Sequence, residues 1–105
     1  MSAAVVHGST VYLSGQVAAK TAGGSVTEQT TEILQQIDEL LKEAGTDKSK
    51  LLTASIFIVD LATFPEMNAV WDKWVSPGDT PCRTTVQATL ASPKYAVEIA
   101  VIAAL

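Results

Sequence analysis

The sequence predicts an α/β fold of the α+β type, a two-layer sandwich in which two helices cover one face of a mixed β-sheet. Three observations support this fold class. The chain has 105 residues, the size of one domain. Segments typical of strands and of amphipathic helices alternate in the order β-α-β-α-β-β. No repeat, linker or low-complexity segment interrupts them, so residues 1–105 are predicted to form a single domain.

The first strand and the first helix are marked by composition and by capping residues. Residues 10–18 (TVYLSGQVA) begin with β-branched and aromatic side chains, which favour a strand, and Gly15 indicates a bulge or a close backbone approach. Ser25 and Glu28 have the spacing of a capping box, which predicts that a helix begins there. Apolar residues then recur at helical spacing, and Gly45 is well placed to end the helix.

The middle of the chain predicts a central strand and a second helix. Residues 51–61 (LLTASIFIVDL) are apolar and rich in strand-forming side chains, as expected of a central strand covered on both faces. Thr63 and Glu66 repeat the capping-box spacing, and Pro65 suits the first turn of a helix. This helix is predicted to end before Pro77, with its two tryptophans in the core or at an interface.

Two further strands are predicted to form a hairpin at the end of the chain. Residues 82–91 and 95–104 flank a tight turn at residues 92–94. In that hairpin, alternation places Arg83 on a half-polar face and Cys82 on the core face, where we expect a buried thiol. The half-polar face carries Ala and Ile beside its charges, so we expect it to meet other subunits.

Arg83 and Glu98 are the residues best suited to chemistry. Arg83 opens a predicted strand, where its planar fork of donors suits a carboxylate; the alternative is a surface Arg paired with a nearby acid. Glu98 lies in an otherwise apolar strand, where a carboxylate needs a partner or water; the alternative is an ordinary outward-facing residue. The hairpin register sets Glu98 opposite Gln87, about 13 Å from Arg83 along the strands. A cleft between subunits is then the simplest way for one ligand to reach both.

Three residue types occur once each, which excludes several kinds of site. His7, Cys82 and Arg83 are the only His, Cys and Arg of the chain. Zinc sites built from Cys and His, CxxC redox pairs and internal disulfides each need more of these residues than one chain has. His7 lies in an N-terminal segment that we expect to be mobile, so we assign it no role.

The charge balance argues against nucleic acid as a partner. The chain has 7 Lys and Arg against 11 Asp and Glu, a net charge of -4, whereas nucleic-acid-binding proteins usually carry a basic stripe. No apolar run has the ~20 residues of a membrane-spanning helix, and the first residues lack the pattern of a secretory signal. We therefore expect a cytoplasmic protein with neither a nucleic-acid nor a membrane partner.

Six segments of the sequence share the order and spacing of a known family. They are VYLSGQVA (11–18), LLKEAG (40–45), IFIVDL (56–61), FPEMNAVWDKW (64–74), PCRTTVQATLA (81–91) and VEIAVIA (97–103). Together they resemble the Rid family, also called the YjgF family and, in an older label, endoribonuclease L-PSP. The most specific pieces are SGQ, the Arg of the P-x-R-[ST]-x-V pattern and VEI near the end.

This resemblance implies a chorismate-mutase-like fold and a homotrimer with three ligand clefts between its subunits. It implies hydrolysis of reactive enamine and imine intermediates, such as 2-aminoacrylate, to a 2-keto acid and ammonia, without a cofactor or a metal. By the same resemblance, Arg83 holds the substrate carboxylate and Glu98 positions a water. The other matching positions are substrate-binding residues: Ser14, Gly15, Asn68 and Thr85.

The sequence departs from the family pattern at its N-terminus. Deaminase members typically have a longer N-terminal segment with a first strand and a cleft Tyr before SGQ, and Tyr12 does not match that Tyr. Residues 1–9 are therefore expected to be flexible or to form a shortened first strand. Two alternatives to a deaminase stay open. One is a non-catalytic protein that binds small carboxylates in the same clefts, and the other is a ribonuclease or translation inhibitor, which the acidic composition argues against.

Overall fold

The computed structural model describes residues 1–105 as two helices packed on one face of a five-stranded sheet. Its elements are β1 (Ala4–His7), β2 (Thr10–Leu13), α1 (Val26–Ala44), β3 (Leu51–Ile58), α2 (Phe64–Trp74), β4 (Cys82–Gln87) and β5 (Val97–Ala104). The strand order across the sheet is β1-β2-β5-β3-β4, with only β3 and β4 parallel. The predicted α+β sandwich with a mixed sheet is confirmed. Neither helix is long and apolar enough to cross a membrane.

Helix α1 begins and ends where its capping residues predicted. The Ser25 side chain accepts a hydrogen bond from the Glu28 backbone N–H, and the Glu28 side chain accepts one from the Ser25 N–H, which completes the capping box. Gly45 adopts the left-handed conformation (φ 89°) that favours glycine, and its N–H donates to the carbonyls of the last turn. The apolar stripe of α1 is buried against the sheet and α2, with Ile33, Leu34, Ile37 and Leu41 at its centre.

Helix α2 begins at Phe64, but the predicted capping box of Thr63 and Glu66 does not form. Thr63 belongs to a short 3-10 turn, Leu61–Thr63, and its hydroxyl donates to the Asp60 carbonyl, so it is not free to cap α2. Glu66 instead accepts hydrogen bonds from the backbone N–H (3.2 Å) and the hydroxyl (2.9 Å) of Thr27. The carboxylate therefore ties α2 to the first turn of α1.

The core lies between the helices and the sheet, where alternate residues of the central strands point toward the helices. Ala54, Ile56 and Ile58 of β3 are fully buried there, as are Ile99 and Val101 of β5. The residues between them point to the other sheet face, which we call the open face: Thr53, Ser55, Phe57, Glu98, Ala100 and Ile102. All of these are only partly buried. β3 is thus covered on one face within the chain, and not on both as predicted.

β4 and β5 are not neighbours, so the predicted hairpin at the end of the chain is wrong. The chain leaves β3, passes through α2 and returns in β4 parallel to β3, as a strand–helix–strand unit requires. β5 lies on the other side of β3, between β3 and β2. The mixed polarity of β4 suits a sheet edge, while β5, with every second residue apolar and buried, gains more burial at the centre.

The observed pairing reverses the predicted faces of the β4 side chains. Arg83 pairs with buried Ala54 and therefore points to the helix side of the sheet, and Cys82, one residue earlier, is exposed on the open face. Glu98 lies on the open face and is not opposite Gln87. The predictions that Arg83 and Glu98 share a face and that Cys82 is buried are wrong. Paired residues point the same way, so a changed partner strand changes the face.

The chain has one strand more than the predicted order, because residues 4–7 form β1 at the sheet edge. β1 pairs antiparallel with β2, and a two-residue loop, Gly8-Ser9, joins His7 to Thr10. Gly8 has a positive φ (61°), as the tight turn of such a hairpin requires. The N-terminal residues therefore extend the sheet, and His7 is exposed on it.

Candidate functional site

Arg83 is held on the helix side of the sheet by residues of α2. Its Nη1 donates a hydrogen bond to the Oδ1 of Asn68 (2.7 Å), and the central guanidinium carbon lies 5.5 Å from the ring centroids of both Phe64 and Trp71. The Nδ2 of Asn68 donates in turn to the Oδ2 of Asp72 (3.2 Å). Arg83 thus projects from the start of edge strand β4 onto one face of α2. We call this face, formed by Phe64, Asn68, Trp71 and Asp72, the Arg83 shelf.

No carboxylate pairs with Arg83, which removes the alternative of an ordinary surface ion pair. Its one side-chain hydrogen bond goes to a neutral amide, and that bond uses only one edge of the fork. The guanidinium is positively charged, and its remaining N–H groups have no anionic partner. A half-buried, unpaired guanidinium is suited to a planar carboxylate or a similar anion.

Thr85 lies beside Arg83 on the same strand and the same face. The two residues are two positions apart, about 7 Å along the strand, and Thr85 pairs with buried Ile56. The Oγ1 of Thr85 is buried and has no hydrogen-bond partner. A buried hydroxyl without a partner is unfavourable, and because solvent does not reach this atom, a ligand bound at Arg83 contacts it only when neighbouring side chains move.

Glu98 lies on the open face, against the segment that follows β2. Gln16 pairs with Ile99 through two backbone hydrogen bonds, 2.8 and 3.1 Å long, and these bring the preceding residues alongside β5. A methyl group placed on Gly15 would overlap a carboxylate oxygen of Glu98. The Nε2 of Gln16 also donates to the carbonyl (3.0 Å) and the hydroxyl (3.2 Å) of Ser14, which fixes that residue. Gly15 therefore leaves the space that the Glu98 carboxylate occupies.

The predicted site residues form two groups on opposite faces of the sheet. Arg83 is level with Ala54 and Glu98 with Phe57, so they are roughly 10 Å apart along the strands and, with β3 between them, roughly 10 Å apart across the sheet. The helix-side group is Arg83, Asn68 and Thr85, and the open-face group is Ser14, Gly15 and Glu98. Within one chain, a small ligand bound to Arg83 cannot reach Glu98.

The open face combines apolar and polar side chains, and no element of the chain covers it. Val5 is 53% exposed, Tyr12 44% and Val86 41%, and Phe57 and Ile102 between them are half-buried. These apolar residues come from all five strands, with Thr53, Ser55 and Glu98 between Ile102 and Phe57. Large, exposed apolar side chains on an uncovered sheet face are typical of a contact with another protein chain.

The loop between β2 and α1 is fastened to α1 by Glu32. The carboxylate accepts hydrogen bonds from the backbone N–H groups of Lys20 (3.2 Å) and Thr21 (2.7 Å) and from the Thr21 hydroxyl (2.8 Å). Desolvation opposes ionisation of Glu32, but these hydrogen bonds outweigh it and hold its pKa below the ordinary value. The loop that follows the SGQ segment is therefore held by a charged residue.

Three residues of the Arg83 shelf were not predicted from the sequence as site residues: Phe64, Trp71 and Asp72. Phe64, Asn68 and Asp72 are four residues apart, and Trp71 follows Phe64 by seven, a spacing that places all of them on one face of a helix. Only Asn68 was predicted. The spacing was visible in the sequence, but the predicted hairpin turned Arg83 away from α2. No group of three or more His, Cys, Asp or Glu side chains is arranged to hold a metal ion.

The whole chain matches one known family. The profile of the family described as Endoribonuclease L-PSP matches residues 1–105. The chain belongs to this family. The resemblance to the Rid (YjgF) family drawn from the six sequence segments is thereby confirmed.

Relatives and a solved structure within this L-PSP family agree over most of the chain. The RutC family protein YoaB of Escherichia coli is 44% identical over 101 residues, 96% of this chain and 87% of YoaB. The Reactive Intermediate Deaminase A, chloroplastic, of Arabidopsis thaliana is 32% identical over 109 residues, 99% of this chain and 58% of that protein. The crystal structure of a YjgF family member from Neisseria meningitidis has a TM-score of 0.95 at 42% identity, covering 99% of this chain and 86% of that one.

Proposed function

We propose that this protein hydrolyses reactive enamine and imine intermediates of the 2-aminoacrylate type to 2-keto acids and ammonia. The reaction takes place in clefts between the subunits of a cytoplasmic homotrimer and uses no cofactor or metal. Three observations support the proposal. Arg83 is an unpaired cation beside the partnerless hydroxyl of Thr85, the open face exposes large apolar side chains, and a relative from Arabidopsis thaliana is named as a reactive intermediate deaminase.

The observation that carries the proposal is the separation of Arg83 and Glu98 by the sheet. Both are residues that this chemistry needs, yet they lie on opposite faces. Arg83 is on an edge strand, so a neighbouring chain packed against that edge has access to it. The Glu98 that completes the cleft then belongs to the neighbouring chain, whose open face lies against the first. The oligomer is therefore a requirement of the active site in this proposal.

The proposed chemistry needs little beyond binding and orientation. The enamine tautomerises to the imine, whose C=N carbon is already electrophilic. Arg83 holds the carboxylate with its free N–H groups, and Glu98 accepts a hydrogen bond from a water so that its oxygen faces the C=N carbon. Addition of water gives a carbinolamine, and loss of ammonia from it leaves the keto acid. One imine and one water become one 2-keto acid and one ammonia.

The proposal is tested by generating 2-aminoacrylate in situ with a PLP-dependent dehydratase and following pyruvate release. We expect clear acceleration over buffer. Arg83→Ala should lower kcat/KM by about 100-fold or more, because it removes charge-assisted hydrogen bonds that contribute about 1.5–3 kcal/mol each. Arg83→Lys keeps the charge but not the fork and should give an intermediate value. No acceleration by the wild-type protein, or full activity of Arg83→Ala, would overturn the proposal.

A second function is favoured by the position of Tyr12. This residue lies on the open face, opposite Ile102, and not beside Arg83, so it supplies no phenol to the Arg83 shelf. A protein that binds small carboxylates in the same clefts without turnover would need only the Arg83 group. Saturable binding of pyruvate that Arg83→Ala abolishes, together with no hydrolysis of 2-aminoacrylate, would establish this function and exclude the deaminase.

A further inference from the structure

The Arg83 shelf contains residues that the proposed reaction does not itself use. Phe64 and Trp71 both lie 5.5 Å from the guanidinium carbon, a distance at which a cation interacts favourably with an aromatic ring. Asp72 contacts only Asn68 in this group. None of the three belongs to the site predicted from the sequence, and none is placed to react with an imine.

The two rings and the amide restrain the guanidinium in different ways. A single hydrogen bond from Nη1 to Asn68 leaves the fork free to rotate about that contact. Phe64 and Trp71 are seven residues, or about two turns, apart on α2. Both rings lie near the guanidinium, which limits its rotation. Trp71 is 5% exposed and packs against Trp74 (centroids 5.4 Å apart), so the ring beneath Arg83 is itself fixed.

Asp72 sets the orientation of the Asn68 amide. Its carboxylate can only accept hydrogen bonds, so the Nδ2 of Asn68 turns toward Asp72 and the Oδ1 turns toward Arg83. The reverse orientation would set the Nδ2 donor against the Nη1 donor of Arg83. The exposed Asp72 thus keeps a neutral acceptor in front of Arg83 without placing a competing negative charge on the guanidinium.

We propose that Phe64, Trp71 and Asp72 are positioning residues that fix the Arg83 fork for a planar carboxylate. This inference rests on the proposed function, because it assigns these residues to the carboxylate end of the same site. An arginine side chain that is not restrained loses conformational entropy when it binds an anion, whereas a guanidinium that is already fixed in place loses less. Removing the rings or the amide restraint should therefore weaken carboxylate binding even though no ligand atom touches Asp72.

The test uses the Nε–H signal of arginine in the 15N NMR spectrum, which is unique because Arg83 is the only Arg of the chain. In the wild-type protein we expect one sharp signal, displaced by the ring currents of Phe64 and Trp71. Phe64→Leu should move the signal toward that of free arginine and raise the Kd for pyruvate about five- to tenfold. Phe64→Tyr, which keeps a ring, should change both by much less.

The second arm uses the exposed Asp72, whose replacement does not disturb the core. Asp72→Ala should broaden the Nε–H signal and raise the pyruvate Kd about threefold, and Asp72→Asn, which keeps an acceptor oxygen, should restore both. Melting temperatures should stay within a few degrees across these variants. An unchanged Nε–H signal and Kd in both Phe64→Leu and Asp72→Ala would overturn the inference. If the wild-type protein did not hydrolyse 2-aminoacrylate, the proposed function would fail, while the Nε–H signals would still decide whether these residues hold Arg83.

Discussion

The helix side and the open face of the sheet differ in how much of a site each one completes. On the helix side, Arg83 has a hydrogen bond to Asn68 and two aromatic rings beneath it, and α2 supplies all of them. On the open face, Glu98 lies beside the segment around Gly15, within a surface of mixed polarity that no element of the chain covers. The contacts that hold Arg83 are all made within one chain, whereas the open face around Glu98 is exposed to solvent.

In the proposed reaction, the two surfaces have different tasks. The guanidinium proposed to bind the substrate is held by a helix of the same chain, and the carboxylate proposed to orient water lies on the face proposed to meet a second chain. Substitutions on the open face should therefore affect assembly and turnover together, whereas those on the helix side should affect carboxylate binding first.

The largest effect should follow from placing a charge at the centre of the open face. Ile102 is half-buried there, between β2 and β3. In Ile102→Lys the long side chain can reach water, so the fold should survive while the face can no longer pack against another chain. We expect the particle mass to fall from three chains to one, with loss of pyruvate release. Gln35→Lys, on the exposed side of α1, is the matched control and should keep both. A fully active trimer of Ile102→Lys would contradict this account of the open face.

A smaller effect should follow from filling the space beside Glu98. Gly15→Ala places a methyl group where the carboxylate lies, so Glu98 must move. We expect kcat to fall by about 100-fold, the usual result of displacing a group in an active site by ~1 Å, while the pyruvate Kd stays nearly constant. In Glu98→Gln the same Gly15→Ala change should cost little more, because the two act on one group. Equal losses in kcat and in pyruvate binding would mean that Gly15 does not act through Glu98.

Thr85→Val, on the helix side, should make the fold more stable and at the same time weaken pyruvate binding. The substitution removes a buried hydroxyl that has no partner and keeps the shape of the side chain, so we expect the free energy of unfolding to rise by about 1 kcal/mol. The pyruvate Kd should rise about threefold, because the ligand loses a hydrogen-bonding atom beside Arg83. Thr84→Val, on the open face of the same strand, is the control and should leave pyruvate binding unchanged. Chemical denaturation and titration calorimetry measure the two quantities.

The smallest effect concerns the loop that Glu32 fastens, which lies away from both faces of the site. The pKa of Glu32 is lowered from 4.5 in the folded state, so the contribution of its contacts to stability is complete above that value. It is lost as the pH falls through the lower, folded pKa. The amide signal of Thr21 should follow this titration in NMR spectra, and in Glu32→Gln it should not titrate. A wild-type Thr21 signal that titrates at or above 4.5 would contradict the assignment.

Local signals in the sequence predicted the elements well where the deciding contacts are also local. Ser25, Glu28 and Gly45 set the ends of α1 within a few residues of themselves, and the structure has these caps. A shortened first strand was one of two alternatives for residues 1–9, but its hairpin with β2 was not predicted, although Gly8-Ser9 between two β-branched runs is a typical two-residue turn.

The faces of the site could not be read from local signals. A strand shows by alternation which residues share a face, but its partner decides which face that is. The turn at residues 92–94 favoured a hairpin, whereas the crossover through α2 and the central burial of β5 decided the pairing. The candidates Arg83, Asn68 and Thr85 therefore lie together on the helix side, whereas Arg83 and Glu98 were predicted on one face and lie on two.

The central claim, that one ligand meets Arg83 of one chain and Glu98 of another, is tested most directly by mixing two inactive variants. Arg83→Ala and Glu98→Gln are co-expressed with different affinity tags, and the mixed oligomers are isolated by two purification steps. Each variant alone should be inactive. If every cleft takes its two residues from different chains, each mixed trimer contains one intact cleft out of three, so the isolated mixed trimers should show about a third of the wild-type rate. Mixed oligomers as inactive as either parent would contradict the account, because each cleft would then draw both residues from one chain.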